Sequence, residues 1–326
     1  MNDWMMKFTF QFCISIASLF IFLWASGCAQ KPTDNIPKVE VGFIEINSNI
    51  KLRRMVVNNL DAKGTVLFLH GFPETIYSWK EIALSLGRDY EIHAFDWLGY
   101  GLSSRPPIEK FGYSPKDYAE ILKEYIKQSG INSSELIVYA TDIGSLPALL
   151  LALEDPKAMA KIIVGDFAPF DRPQYMHENL QNLKSKPSSD QVRAAMNKNR
   201  DEILENAYRR GFPKAEQFEI SQELKDEMLR GWDQPSMTSA DAFYYYYSNF
   251  TRDQNYFEAN ITKLKTPVKV IWGEKDNYIK KEMGIEFAKR LNIDLHVLPG
   301  IGHYPHLQNP KLTVEEINSS FNSDGK

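Results

Sequence analysis

Short apolar runs rich in β-branched residues alternate with longer amphipathic segments through most of the chain. Such an alternation predicts an α/β protein, with a mostly parallel twisted sheet flanked by helices on both faces. The inner runs are almost continuously hydrophobic, as strands buried on both faces must be. These runs span residues 65–69, 92–95, 136–139, 162–164, 268–272 and 295–298, and residues 39–46 and 53–57 suit two opening strands.

The alternation stops between residues 167 and 261, where charged helical stretches at 189–209 and 221–232 come with no buried-strand run. We interpret this region as a helical cap inserted after the sixth strand. It would divide the core into a first part, 39–166, and a second part, 262–326. Ligands bind at the carboxyl ends of the strands in open α/β sheets, so a cap placed there would roof the site.

The N-terminal segment has the parts of a secretory signal peptide. Residues 8–24 are almost wholly apolar, Lys7 precedes them, and Ala-Ser-Gly leads to Cys28. An uncleaved membrane anchor is the alternative, because the run is about as long as the shortest spanning helices. The string ending at Cys28 resembles the bacterial lipobox. This resemblance implies a signal peptide at 1–27, a lipid on Cys28, and an exported lipoprotein anchored to the lipid bilayer of a bacterial cell envelope, with residues 28–38 as a tether.

Charge and cysteine content exclude two classes of function. The formal net charge is -4 and the charges of both signs are interspersed, so the chain lacks the basic surface that nucleic acid requires. Its two cysteines, Cys13 and Cys28, both precede the predicted fold. Neither a disulfide framework nor a cysteine zinc site can therefore be built within it.

A candidate nucleophile, Asp142, lies in a sharp turn between a strand at 136–139 and a helix at 145–153. Small residues on either side, Ala140 and Gly144, would let the backbone take the strained turn that lifts one side chain clear of a sheet. A structural alternative is that Asp142 only caps the following helix, which is a common role for Asp.

Two further candidates follow in the order nucleophile, acid, histidine that this turn requires. Asp276 comes just after the strand at 268–272, and His303 comes after the strand at 295–298. Glu274 is an alternative acid. His93 lies within a predicted strand, whereas His177 and His306 lack a strand-end position. We therefore predict that Asp142, Asp276 and His303 form a triad at the carboxyl edge of the sheet.

The sequence His-Gly-Phe-Pro at residues 70–73 directly follows the strand at 65–69. It suits an oxyanion hole, in which fixed N–H donors stabilise a developing negative charge. The N–H groups of Phe72 and of Ile143, the residue after the candidate nucleophile, would provide two donors. Gly71 would allow close approach, although a tight strand-to-helix turn also uses Gly and Pro.

The motif His-Gly-Phe-Pro-Glu-Thr at 70–75, the segment 96–103 and the turn at Asp142 together resemble the epoxide hydrolase branch of the α/β hydrolases. The resemblance covers roughly residues 40 to 320. It implies that Asp142 opens a small-molecule substrate, an apolar epoxide, and that His303 activates water without any cofactor or metal. A carboxylate is already ionised at pH 7, so it can attack saturated carbon directly. Thr141 departs from the family, in which a histidine commonly precedes the nucleophile.

The same resemblance implies proton-donating tyrosines in the cap. The family motif of Tyr followed by Arg and Asn aligns with Tyr247, although Ser248 stands where Arg is usual, and Tyr246 is the alternative in the neighbouring register. Tyr175 is the candidate for the second donor, with Tyr208 as the other choice. Aromatic residues also pack a cap against a core, so each ring has a purely structural alternative.

Two other functions fit the pattern. A dehalogenase acting on a haloalkane or haloacid would use the same triad, but haloalkane dehalogenases usually hold the halide with Trp after the nucleophile and Asn after His-Gly, where this chain has Ile143 and Phe72. A non-catalytic surface binding protein could also use the fold, because a fold alone does not establish function. Retention of all the candidate site residues argues against that reading.

Overall fold

The structure is a computed structural model that describes residues 36–322. The predicted signal peptide, the lipidation site Cys28 and most of the tether lie outside these residues. Within the described part, no helix combines the length and apolar character needed to cross a membrane. The predictions of lipidation and export are therefore not tested by the structure.

Eight strands form one central sheet in the order β1-β2-β4-β3-β5-β6-β7-β8. β1 and β4 pair antiparallel to β2, and the remaining neighbours are parallel. The mostly parallel sheet confirms the predicted fold class. The strands are β1 Glu40–Asn47, β2 Ile50–Val57, β3 Thr65–Leu69, β4 Glu91–Phe95, β5 Leu136–Thr141, β6 Lys161–Gly165, β7 Val268–Gly273 and β8 Leu295–Leu298.

The helices are α1 Lys80–Leu86, α2 Pro115–Gln128, α3 Ser145–Glu154, α4 Glu178–Asn182, α5 Ser188–Lys198, α6 Arg200–Asn206, α7 Gln222–Trp232, α8 Ser239–Ser248, α9 Phe250–Asn260, α10 Lys281–Leu291, α11 Pro305–Gln308 and α12 Pro310–Asn322. Ser114 begins α2 with a reciprocal capping box to Asp117. Two hydrogen bonds thereby satisfy amides that a helix start leaves unpaired.

Both faces of the sheet are buried, which explains why its inner strands are hydrophobic at every position. In β5, Val138 and Ala140 belong to the hydrophobic cluster that includes α2 and α3. The intervening Ile137 and Tyr139 belong to the cluster on the opposite face, with α1 and α12. Successive side chains of a strand point to opposite faces, so one strand serves both layers.

Helices α4 to α9 lie between β6 and β7, in the stretch where the sequence predicts a cap. The predicted helix at 189–209 is divided at Asn199, which ends α5 and precedes α6. Asn is poorly suited to a helix interior because its side chain competes for backbone hydrogen bonds. A short hairpin, Asp233–Gln234 with Met237–Thr238, was not predicted from the sequence.

Buried polar contacts join this region to the core. Arg105 donates to the carbonyl of Gly231 and, at 2.8 Å, to that of Met237. Arg53 of β2 pairs with Glu227 of α7 at 2.5 Å. These contacts fix α7 and the start of α8 above the core, near the ends of the parallel strands.

Candidate active site

Asp142 follows β5 directly, in a backbone conformation that few residues adopt. Its φ is 47°, in the left-handed region that costs free energy for a residue with a Cβ. A Cβ at Gly144 would lie 2.9 Å from Cβ and 3.0 Å from O of Leu69, so the turn has no room for a side chain there. Helix α3 has Gly144 as its N-cap, and the interpretation of Asp142 as a simple helix cap is therefore wrong.

The loop after β3 packs against the Asp142 carboxylate. The backbone N–H of Phe72 donates to Asp142 Oδ2 at 2.8 Å. A Cβ on Gly71 would lie 2.7 Å from Asp142 Cβ and 2.8 Å from Oδ2, so this approach requires glycine. The other predicted oxyanion residue, Ile143, is next to Asp142 in the chain, and its carbonyl accepts a 3.1 Å hydrogen bond from the hydroxyl of Tyr246.

Asp276 and His303 form a buried pair. Nδ1 of His303 lies 2.8 Å from Oδ2 of Asp276. The other oxygen, Oδ1, accepts the N–H groups of Tyr278 at 2.8 Å and Ile279 at 3.0 Å, which fixes the carboxylate. The alternative acid, Glu274, is exposed and instead accepts the N–H of Gly300. Geometry thus favours Asp276 over Glu274 as the partner of His303.

Asp142 and His303 line the same cavity, which has a volume of about 100 Å³. The three predicted triad residues therefore meet at one site. The cavity is roofed by residues between β6 and β7, and its apolar lining includes Leu180, Leu183, Val192, Met196, Ile203 and Phe243. An apolar enclosure with a few polar groups is typical of small-molecule sites.

Burial and mutual charge set the protonation of this cavity. Burial raises the pKa of Asp142 to about 6, although the charge of His303 and the N–H of Phe72 oppose the shift. Burial would lower the pKa of His303, but the charge and hydrogen bond of Asp276 outweigh it and raise this pKa to about 9. At pH 7 Asp142 is mainly ionised and His303 is protonated beside it.

The cap tyrosines occupy different positions relative to Asp142. Tyr247 is buried and borders a second, much smaller cavity that Asp142 also lines. Burial and the charge of Asp142 raise the pKa of Tyr247 well above its usual value, so its phenol stays protonated. The hydroxyl of Tyr246 is already used on Ile143. Tyr175 is half-buried and lines neither of the two cavities that Asp142 lines, so the structure does not bring it together with the other candidates.

A family model described as alpha/beta hydrolase fold matches residues 64–310. The chain belongs to this family. Epoxide hydrolase 1 of Caenorhabditis elegans is 25% identical over 297 residues, which cover 84% of this chain and 69% of that protein. A solved epoxide hydrolase without ligand has a TM-score of 0.71 at 17% identity, covering 88% of this chain and 99% of that one. A solved haloalkane dehalogenase from Bradyrhizobium elkani has a TM-score of 0.70 at 19% identity, covering 88% of this chain and 98% of that one.

These findings confirm the predicted family and fold, and they make the protein a hydrolase enzyme similar to the epoxide hydrolase branch. The two solved structures share less than a quarter of their residues with it, so they establish the fold alone. The reaction and the residues that perform it are inferred from the geometry of the site.

The cavity of this hydrolase includes polar side chains that sequence reasoning missed. Tyr304 donates to the carbonyl of Phe72 at 2.8 Å, and Tyr278 donates to the carbonyl of Ala207 at 3.0 Å. His177, which sequence reasoning set aside, also lines the cavity. The positions of Tyr304, next to His303, and of Tyr278, two residues after Asp276, were the available signals.

A buried Glu–His pair lies behind the loop at Phe72. Oε1 of Glu74 lies 2.5 Å from Nε2 of His306, and both side chains are at most 1% exposed. The second oxygen of Glu74 accepts the N–H of Gly71 at 2.8 Å. Burial opposes ionisation of Glu74, but the charge and hydrogen bond of His306 prevail and lower its pKa. The pair holds the loop that contacts Asp142, and no local sequence pattern indicates this role for His306.

Proposed function

We propose that this hydrolase converts an epoxide to a diol through an ester formed on Asp142. The supporting observation is the surroundings of that carboxylate, which is half-buried, lines an apolar cavity together with His303 and accepts the N–H of Phe72. The curated relative named epoxide hydrolase 1 agrees with this choice of substrate class. The substrate would be a small, largely apolar epoxide, and the scheme needs no cofactor or metal.

In the first step, an oxygen of Asp142 attacks an epoxide carbon and the carbon–oxygen bond of the ring breaks. The electron pair stays on the ring oxygen, which takes a proton from Tyr247. A phenol with a raised pKa is protonated at neutral pH and can serve as this donor. The product of the step is an alkyl ester on Asp142.

Ester formation prepares His303 for the second step. The negative charge of Asp142 is one of the influences that raise the pKa of His303, and the ester removes it. His303 can then release its proton, which passes through solvent to the Tyr247 phenolate and restores the neutral phenol. The neutral imidazole can then accept a proton from water. Asp276 keeps the imidazole oriented at 2.8 Å during this exchange.

Water then attacks the carbonyl carbon of the ester. The resulting oxyanion accepts the N–H groups of Phe72, which already donates to Asp142, and of Ile143. The bond between the carbonyl carbon and the alkyl oxygen breaks, His303 returns its proton to that oxygen, and the diol leaves. Asp142 is released as the carboxylic acid, and its proton passes to the neutral His303, which restores the carboxylate beside a protonated imidazole.

The side chains at the two positions where haloalkane dehalogenases usually hold a halide favour the epoxide. The ring of Phe72 stacks on Phe243 at 4.3 Å between centroids. Ile143 is buried and aliphatic. Neither side chain has an N–H to donate to a halide ion.

Replacing His303 with Gln tests the proposal, because the ester should form and then persist. The variant is incubated with candidate epoxides, haloalkanes and haloacids, and the intact protein is weighed. We expect a gain equal to the whole mass of an epoxide. A gain equal to the mass of a halogenated compound minus that of one hydrogen halide would instead identify a dehalogenase. No gain in mass with any candidate would favour a binding protein. A variant carrying both Asp142→Asn and His303→Gln is the control and should gain nothing.

Attachment to a membrane through Cys28 is proposed on the sequence alone. Lipid-anchored protein should sediment with membranes and incorporate labelled fatty acid. A Cys28→Ala variant should incorporate none. Incorporation that persists in this variant would contradict the proposal.

A further inference from the structure

Asp166 is a buried carboxyl group that the proposed mechanism does not use. It follows β6 directly, with a φ of 53° and no exposed surface. Its Oδ1 accepts the N–H of Gly273 at 2.8 Å. Its Oδ2 is also buried, and no donor among the described residues bonds to it. A buried oxygen left in this state costs free energy unless a proton supplies the missing hydrogen bond.

The side chain lies beside the Asp276–His303 pair. One carboxylate oxygen of Asp166, one of Asp276 and one ring nitrogen of His303 lie within 4.8 Å of one another. Asp276 already accepts hydrogen bonds on both oxygens, from His303 on one and from the N–H groups of Tyr278 and Ile279 on the other. Asp166 has a single N–H donor, so its surroundings stabilise a negative charge far less well.

Two buried carboxylates this close cannot both be ionised without a large electrostatic cost. The negative charge belongs on Asp276, which has three hydrogen-bond partners where Asp166 has one. Burial, followed by the charge of Asp276, raises the pKa of Asp166 well above its usual value. This raised pKa agrees with the smaller number of hydrogen-bond donors around Asp166 than around Asp276.

The geometry points to Asp166 as a neutral positioning residue, whose carboxyl proton is donated to Asp276 and which thereby holds the acid that orients His303. This inference rests on the proposed function, because it assigns Asp276 the role of orienting acid. In the opposite arrangement Asp166 is ionised and interacts with His303 directly, as a second carboxylate beside Asp276. The two arrangements differ by the one proton on Asp166. The titratable groups that face Asp166 are Asp276, His303 and, from the neighbouring strand β5, Tyr139.

Asn is nearly isosteric with a protonated Asp, so Asp166→Asn separates the two arrangements. Its oxygen can accept the N–H of Gly273 and its amide can donate to Asp276, but it has no proton to release. In the folded chain Asp166 should keep its proton. In the unfolded chain it should lose that proton near the ordinary pKa of an aspartate. The wild type should therefore lose stability relative to Asp166→Asn as the pH rises, since the unfolded state binds fewer protons.

Denaturant unfolding of the full chain in mild detergent at pH 5, 6, 7 and 8 measures this. We expect the ratio of the folding constants, Asp166→Asn over wild type, to rise about tenfold per pH unit up to the pKa of Asp166. A ratio that stays constant over this range would overturn the inference. The readout requires no activity, so it remains decisive if the chain proves inactive on every epoxide.

Turnover tests the positioning role separately. Asp166→Asn should keep the kcat of wild type within a few-fold and leave the pH profile unchanged, whereas Asp166→Ala, which cannot donate, should lower kcat roughly tenfold or more at similar KM. Full activity of Asp166→Ala, or loss of activity in a folded Asp166→Asn, would contradict a neutral donor. If wild type turns over no epoxide, the proposed function fails while the unfolding result still stands.

Discussion

The backbone N–H of Phe72 donates a 2.8 Å hydrogen bond to Oδ2 of Asp142. This bond joins the loop after β3 to the turn after β5, two segments separated by 70 residues of sequence. It depends on a glycine at position 71, where a side chain would overlap the carboxylate. The position of this loop therefore sets both the environment of Asp142 and the space available to a substrate.

Gly71→Ala should lower kcat/KM by at least roughly a hundredfold, because the added methyl group must displace Asp142 or the Phe72 amide from its position. Steady-state turnover of an epoxide on folded variants measures the effect. Gly42→Ala is the matched control, since a Cβ there meets nothing within 4 Å. Equal activity of the two variants would show that the close approach is unimportant.

The rate of epoxide opening should fall on the acid side of pH 6. Attack requires the ionised carboxylate, and Asp142 gains a proton as the pH drops through its pKa of about 6. We expect kcat/KM at pH 5 to be about tenfold below its value at pH 7, with a further tenfold loss per pH unit while the protein stays folded. Circular dichroism at each pH serves as the control for folding. An unchanged rate at pH 5 would mean that another group performs the attack.

Tyr247→Phe should lower kcat by roughly a hundredfold with little change in stability, because it removes the proposed proton donor and keeps the ring. Tyr245→Phe is the control, since Tyr245 is on the same helix but packs against Tyr113 rather than bordering an Asp142 cavity. The rate at which each variant forms diol from an epoxide is the measurement. The role of Tyr247 would be refuted by a variant that works as fast as Tyr245→Phe.

Glu74→Gln should destabilise the protein by about 3 kcal/mol or more, because it leaves His306 buried without its charged partner. Chemical denaturation at pH 7 measures the free energy of unfolding. Glu223→Gln is the matched control: it breaks a more exposed pair with Lys80 and should cost less than about 1 kcal/mol. Similar losses in the two variants would argue that the buried pair contributes little.

Much of the fold could be predicted because strands buried on both faces are short, continuous apolar runs that can be recognised locally in the sequence. The runs at 136–139 and 268–272 became β5 and β7 with small differences at their ends. The locations of Asp142, Asp276 and His303 at strand ends followed from the same pattern, since the carboxyl ends of parallel strands lie along one edge. The strand order then places Asp142 and His303 at one cavity, with Asp276 bonded to His303 behind it.

Contacts between distant segments could not be predicted in this way. Asp166 resembled any polar residue after a strand, and its proximity to Asp276 depends on β6 and β7 being neighbours. The pairing of Glu74 with His306 joins positions 232 residues apart, with no local pattern to signal it. The family resemblance implies a second cap tyrosine but matches no motif at Tyr175, and the packing of the cap decides which tyrosines border the cavities.

The 3.1 Å contact between Tyr246 and Ile143 ties a roof helix to the peptide segment that follows Asp142. If α8 swings outward to admit a molecule, that contact breaks at the same moment as the enclosure opens. Substrate could then enter only while this contact is broken, and the segment after Asp142 would return to its position for the reaction only when the cap closes. A carboxylate that electrophilic compounds can alkylate would in this way be shielded from those that do not fit beneath the closed cap.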